Sequence, residues 1–274
     1  MTRIDLHMHS TASDGLLTHT ALVNLAKERG LTTIALTDHD TTSGWEEAMA
    51  AGRELGVEVL GGFEINSETS LGHIDFLVYG ANADNAALQD FLLTIRDARV
   101  GRAKGMVNQL AELGMPIQWE RVLYFAGDAK SIARPHVARA LVEAGYVAST
   151  QEAFDRYLND QGPAYVHRLE VKPQDVIDVV HQAGGVIILS SPGHSNTTHL
   201  TPTLAALGLD GIEVYYFDHS AETRAELLAL AQMHNLIVTG GSDFHGDQTH
   251  TNLGSVDVPI EVLDQIKARI AARQ

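Results

Sequence analysis

The hexapeptide Asp5-Leu6-His7-Met8-His9-Ser10 constrains this chain more than any other stretch of it. Ile4, Leu6 and Met8 alternate with Asp5, His7 and His9, the period of a strand, so both imidazoles leave its C-terminal end on one face. Two ring nitrogens side by side at a strand mouth can bind one divalent ion. A lone His-x-His is common on protein surfaces, and its weight here comes from repetition. Strand-like runs end in metal-type side chains again at Ile34-Ala35-Leu36-Thr37-Asp38-His39-Asp40, at Val57–Glu64 and at Leu236–His245. Ligands at the C-terminal ends of successive strands are how a β/α barrel assembles a single site.

The chain of 274 residues has no cysteine, which excludes disulfides and thiolate metal sites and leaves His, Asp and Glu as ligands. Those donors suit manganese, iron or zinc, and magnesium less well. A formal charge of −16 argues against long nucleic acid or an anionic membrane as partner. Phosphate remains compatible, because divalent ions reverse the local sign. The N-terminus is neither basic nor followed by an apolar stretch, and no apolar run approaches the roughly 18 residues of a membrane span. A cytoplasmic protein is expected.

Up to about residue 80, strand and helix alternate, with helices over Leu16–Arg29 and Thr41–Leu55 and a further strand over Ile74–Tyr79. Such alternation implies parallel strands joined by crossover helices. From 81 to 164 the pattern turns helical, over Asn85–Val100, Arg102–Gly114, Arg134–Gly145 and Thr150–Gln161. Strands resume at Val186–Leu189, Ile212–Tyr215 and Ile237–Val238, between helices over Pro173–Ala183, Leu200–Leu207, Ala221–His234 and Pro259–Ala272. The expected fold is α/β, a β/α barrel of about seven strands. Residues 1–80 and 165–274 would form the barrel, and 81–164 an inserted helical lid subdomain.

Around the first strand, Asp14 sits in a loop of small residues, as a metal ligand or as the cap of the helix beginning at Leu16. His39 lies just past a strand end, where Asp38 is placed to orient a ring. Glu64 follows Gly61-Gly62, and a carboxylate there can bridge two ions and bring a shared water into the range of a hydroxide nucleophile. Asp243 and His245 flank Phe244 with the same period-two spacing as His7 and His9. Arg134 and His136 open a helix, where backbone N–H groups and a guanidinium favour phosphate, or where an arginine is simply a surface charge. Lys130 and Tyr165 are weaker candidates of the same kind. Tyr215, Tyr216 and His219 follow a strand end, placed to stack a base, bind phosphate or pack a core. His181, His199, His234 and His250 receive no role.

Asp-Leu-His-Met-His-Ser, Leu-Thr-Asp-His-Asp, Gly-Phe-Glu-Ile and Gly-Ser-Asp-Phe-His-Gly together resemble the ordered motifs of the PHP (polymerase and histidinol phosphatase) domain family. Ile132-Ala133-Arg134-Pro135-His136 and Pro163-Ala164-Tyr165-Val166 resemble its stand-alone phosphoesterase branch, that of 3′,5′-nucleotide bisphosphate phosphatases and 5′→3′ oligoribonucleases. The resemblance implies a distorted seven-stranded β/α barrel, a helical lid and two or three divalent metal ions. It places His7, His9, Asp14, His39, Glu64, Asp243 and His245 at ligand positions. Two positions depart from the pattern. Asp75 stands where the branch has a histidine, with His73 nearby, and an oxygen donor can replace a nitrogen one. Ser191, in Ser190-Ser191-Pro192-Gly193, replaces a second ligand histidine. His194, three residues on, is either a substitute or a loop histidine in solvent.

The expected activity is hydrolysis of a phosphomonoester on a small phosphorylated nucleotide, a 3′,5′-bisphosphate, with Arg134 and His136 on its second phosphate. Asp14 and His194 are the expected catalytic groups, His194 as proton donor to the leaving oxygen. Exonuclease action on short RNA is the alternative, and histidinol phosphatase a third. From another class, Ser191 allows a non-catalytic relative that binds nucleotide or metal.

Overall fold

The alternation of the first eighty residues builds one side of a seven-stranded sheet whose strands follow in chain order. In the computed structural model, which describes residues 3–246 and 251–273, β1 (Ile4–Asp5), β2 (Thr33–Leu36) and β3 (Glu58–Thr69) are parallel. Helices α1 (His19–Glu28) and α2 (Trp45–Leu55) make their crossovers. On the other side β5 (Val186–Leu189), β6 (Gly211–Tyr215) and β7 (Ile237–Gly240) are again parallel. His250 lies outside the described residues.

β4 (Gly72–Tyr79) departs from the parallel arrangement expected of the strand–helix alternation. It is antiparallel to both β3 and β5. Thr69 pairs with Gly72, so only Ser70 and Leu71 connect β3 to β4, and a connection that short can only reverse the chain. Gly72 supplies the positive φ, 107°, at the turn. Ile74, Phe76, Leu77, Val78 and Tyr79 are all fully buried, as a strand covered on both faces must be.

The sheet closes on itself. Leu6 N donates to Gly240 O (3.2 Å), Asp243 N to His7 O (2.9 Å) and His9 N to Phe244 O (2.9 Å), which joins the stretch after β1 to the stretch after β7. The backbones meet so closely at Gly241 that a Cβ there would lie 2.3 Å from His7 N. Outside the strands pack α1, α2, α7 (Pro173–Gln182), α8 (Thr201–Leu207) and α9 (Ala221–Met233). A second apolar cluster joins Leu6, Leu77, Tyr79 and Ile188 to Val262, Leu263 and Ile266 of α10 (Glu261–Ala271).

Between β4 and α7 the chain is helical, and its helices differ in two respects from those expected. α3 (Ala86–Glu112) is one helix of 27 residues that runs straight through Gly101, where a break was expected. An isolated exposed glycine costs a helix only about 1 kcal/mol, and the packing at both ends of α3 outweighs that. α4 (Trp119–Ala126) was not anticipated. With α5 (Arg134–Glu143) and α6 (Thr150–Ala153), which runs on into a wider turn over Phe154–Leu158, α4 packs on the second half of α3. Leu88 and Leu92 of α3 belong to the barrel core, whereas Ala103, Met106 and Leu110 belong to this separate helical core. No helix among the described residues is long and apolar enough to cross a membrane.

The same substitution should have opposite signs at two glycines. Gly241→Ala forces β1 from its closing neighbour and is expected to cost about 1–3 kcal/mol. Gly101→Ala, in open space on a helix, is expected to stabilise by about 0.5–1 kcal/mol. Urea denaturation of both variants is the check, and a neutral Gly241→Ala would mean that the closure is loose.

Candidate metal centre

The loop that follows β1 is held by hydrogen bonds to the two residues just beyond β2. Met8 N donates to Thr37 Oγ1 (3.0 Å) beyond β2. Asp38 turns away from the imidazoles and accepts from Ser10 N (2.8 Å), Ser10 Oγ (2.6 Å) and Ser13 Oγ (2.7 Å). Those bonds fix residues 10–14 so that Asp14 faces the strand ends. Thr18 caps α1, which leaves Asp14 out of the capping role.

Seven side chains converge there. Glu64 Oε2 lies 3.5 Å from His7 Nε2, 3.3 Å from His9 Nε2 and 3.3 Å from His39 Nδ1. Asp243 Oδ1 lies 3.3 Å from His7 Nε2 and 3.2 Å from His9 Nε2. Asp14 faces His39 Nε2 (3.6 Å) and His245 Nε2 (3.5 Å). Six of the seven fall into two groups, His7/His9/Asp243 and His9/Asp14/His39/His245, each with its ligand atoms within 4.8 Å of one another, and Glu64 faces both through its contacts with His7, His9 and His39. Buried His7 Nε2, both nitrogens of His9 and His39 Nδ1 have no properly directed hydrogen-bond partner. Orphaned imidazole nitrogens facing carboxylates fit divalent ions and are otherwise costly to bury.

Two residues that sequence reasoning passed over, or read differently, hold this set in place. Glu213, fully buried on β6, accepts from His7 Nδ1 (3.0 Å) and from Ser191 N (2.8 Å). The bond fixes His7 with Nε2 toward the cluster. A carboxylate inside the apolar run Gly211-Ile212-Glu213-Val214-Tyr215 was its signal, since a buried charge needs a partner. Tyr216, considered for base stacking, donates its hydroxyl to Asp243 Oδ2 (2.8 Å).

The two departures from the family pattern are neighbours. Ser190 N donates to Asp75 O (2.8 Å), while the Asp75 carboxylate meets His73 (3.1 Å) and Arg168 (3.4 Å) and stands outside both donor groups. His194 is half exposed, its ring beside Asp218, at the rim of a pocket of about 570 Å³. Asp14, Asp243 and His245 open into that pocket, whose other walls include Pro135, Arg139, Phe154 and Phe217. Arg139, four residues after Pro135 and so on the same face of α5, also donates to Asp14 O (3.2 Å). Arg134 is turned to Leu158 O (3.0 Å) and Asp160 (2.9 Å). His136 Nδ1 accepts from Ala133 N (3.0 Å), closing the start of its own helix. The Lys130 side chain is exposed, Tyr165 lies under Arg102, and buried His219 bonds Val214 O (2.9 Å).

Burial works against charge on His9, but Asp243 and Glu64 outweigh it and push its pKa up to about 10. Burial opposes charge on His7 as well, and Glu213 and Asp243 carry it well above the ordinary imidazole value. Burial would raise Asp243, yet His7 and His245 hold its carboxyl far below the usual range. Without ions the carboxylates thus favour the protonated forms of His7 and His9, and metal binding works against that preference.

Imidazoles and carboxylates gathered at the strand ends of a closed β/α barrel define a metal-dependent hydrolase. Residues 5–95 match the family model described as PHP domain. A 3′,5′-nucleoside bisphosphate phosphatase from Chromobacterium violaceum is 32% identical over 89% of this chain and 88% of its own. A phosphoribosyl 1,2-cyclic phosphate 1,2-diphosphodiesterase from Eggerthella lenta is 32% identical over 88% and 94%. The 5′-3′ exoribonuclease Rnm of Salmonella typhimurium is 35% identical over 88% and 84%. A structure from Bifidobacterium adolescentis, described as a metal-dependent phosphoesterase, superposes with a TM-score of 0.91 at 33% identity over 98% of this chain and 96% of its own. The chain belongs to the PHP domain family.

Glu213→Ala is expected to lower manganese affinity about ten- to a hundredfold by releasing His7, and Glu213→Gln to lower it less. Calorimetric titration of chelator-treated protein measures this, and unchanged affinity in Glu213→Ala would mean that the backbone alone orients His7. The raised pKa of His9 has a definite sign in stability. Its contribution is present below the ordinary 6.5 and is lost as pH rises through about 10. Metal-free protein should therefore lose melting temperature across that window, and metal-loaded protein should not.

Proposed function

We propose that this enzyme hydrolyses a phosphomonoester of a small nucleotide, a 3′,5′-bisphosphate giving the 5′-monophosphate and inorganic phosphate. The observation that carries this reading is the shared wall between the His/Asp/Glu cluster and a pocket of about 570 Å³ with both an arginine and aromatic walls. That volume and mixture suit one nucleotide.

His7, His9, Asp14, His39, Glu64, Asp243 and His245 would hold the ions, two by the grouping of the donors, with manganese, iron or zinc suited to such ligands. Divalent ions bound there supply neutralisation of the phosphoryl oxygens and a water of lowered pKa. The chain's own residues do the rest. Glu213 and Tyr216 keep His7 and Asp243 oriented. Arg139 brings a guanidinium to the pocket, and Phe154 and Phe217 offer faces to a base. His194, steadied by Asp218 at the rim, would hand a proton to the leaving ribose oxygen. His136, driven down to about 4 by burial against the pull of Asp14, is neutral and serves the helix start rather than a phosphate charge.

The 5′ end of a short RNA presents the same terminal nucleotide, and the Salmonella relative is named for that activity. A charge of −16 disfavours a longer strand. The convergence of seven donor side chains on one space argues for catalysis over a purely binding role.

Phosphate release from nucleotide bisphosphates, monophosphates and short RNAs, with manganese added, tests the proposal. Bisphosphates are expected to give the highest kcat/KM, and stepwise shortening of RNA without bisphosphate turnover would replace this reading by the exonuclease one. Less than one metal per purified chain and no turnover would leave a binding protein. His39→Ala should lose both metal and turnover. Arg139→Ala should raise KM about ten- to a hundredfold, the worth of one charge-assisted phosphate contact of about 1.5–3 kcal/mol.

A further inference from the structure

Glu64 has a second oxygen, and what it touches leads away from the metal centre. Asn66 Nδ2 donates to Glu64 Oε1 (3.3 Å), and Asn66 Oδ1 accepts from Arg99 Nη2 (2.7 Å). Arg99 and Arg102 lie one turn apart on α3, and Arg168 comes from the segment that enters α7. With Asn66 these three guanidiniums line a space of about 10 Å³.

Their charges are unequally answered. Arg99 meets Asp40, Arg168 meets Asp75 and His73, and Arg134 close by meets Asp160. Arg102 has no carboxylate partner among the described residues. Its Nε donates to Val166 O (2.7 Å) and its plane lies over Tyr165, 5.4 Å from the ring centre. Its Nη2 is buried without a partner, although the residue is only 8% exposed. Glu68 also buries an unpartnered oxygen, yet no ion pair joins it to Arg102. Burial first, then repulsion from Arg168, Arg134 and Arg99, brings the Arg102 pKa down to about 9. A buried guanidinium with an idle donor among like charges is costly unless an anion completes it.

We propose that Arg99, Arg102 and Arg168 form an anion subsite, separate from the metal cluster, that takes the non-reacting phosphate of a two-phosphate substrate. The space admits one phosphoryl oxygen, so the guanidiniums would meet the phosphate along one side, in the forked geometry that arginine favours. The link through Asn66 and Glu64 sets this subsite next to the reacting centre. Assigning it to the substrate's second phosphate rests on the function proposed above. The anion site itself does not.

The test begins with full-length protein stripped of metal at pH 8 and titrated with inorganic phosphate by calorimetry. Wild type is expected to bind one equivalent, Arg102→Gln and Arg168→Gln at least tenfold more weakly, and Arg102→Lys between them and wild type. Unchanged binding in Arg102→Gln, with or without a fall in melting temperature, would make Arg102 a structural residue and overturn the proposal. Binding lost in His39→Ala and kept in Arg102→Gln would place the anion among the histidines and overturn it equally. With manganese present, the KM for a nucleotide bisphosphate should rise at least tenfold in the two glutamine variants. If no bisphosphate is turned over, the phosphate titration still decides the anion site, so the two proposals fail separately.

Discussion

Three backbone hydrogen bonds carry the rest of the structure: Leu6 N to Gly240 O, Asp243 N to His7 O and His9 N to Phe244 O. They join the first strand to the last across more than two hundred residues of chain, and they do so beside the clustered imidazoles and carboxylates. Any slip in this register moves His7 and His9 relative to Asp243 and His245. A one-residue slip would point the imidazoles to the opposite face. Closure of the barrel and assembly of the site are thus one event. The absence of a side chain at Gly241 is what lets the two backbones come close enough for both.

The cluster is a crowd of groups that would repel or desolvate one another if left to themselves. Imidazoles and carboxylates face one another around a common space at 3.2–3.5 Å, and the surrounding bonds hold several of them in place. Asp38 spends its carboxylate on the loop serines, Glu213 on His7 and the Ser191 backbone, and Tyr216 its hydroxyl on Asp243. His7, Asp243 and the loop that carries Asp14 are thereby aimed by partners outside the cluster, and preorganisation of that kind makes a buried polar network worth having.

The clustering of these side chains was legible because residue types suited to metal chemistry recur at strand ends, and period two tells which of them share a face. His7, His9, Asp243 and His245 show this most plainly. The strand directions were less legible. An apolar strand reads the same whichever way it runs, so only the two-residue turn at Ser70-Leu71, hidden among polar residues, distinguished the antiparallel β4. α3 was read as two helices because Gly101 looks like a stop, whereas tertiary packing at Leu92 and Ala103 on either side overrides one weak residue. Asp75 matched a ligand position by alignment of motifs, but its partners, His73 and Arg168, are set by chain folding that no local pattern records. Glu213 carried a signal, a charge in a buried strand, whose meaning depended on finding what it faced.

A helix of 27 residues is a strut about 40 Å long. α3 is rooted in the barrel by Leu88 and Leu92 and in the helical core by Met106 and Leu110, so one helix belongs to both cores. Lys130 N, bonded to Ala12 O (2.9 Å), ties the far edge of the helical core to the loop bearing Asp14. The helical part is therefore joined to the barrel at two points rather than hung from one. The pocket of about 570 Å³ lies between the two anchored parts, with Pro135, Arg139 and Phe154 on one side and Asp14, Asp243 and His245 on the other.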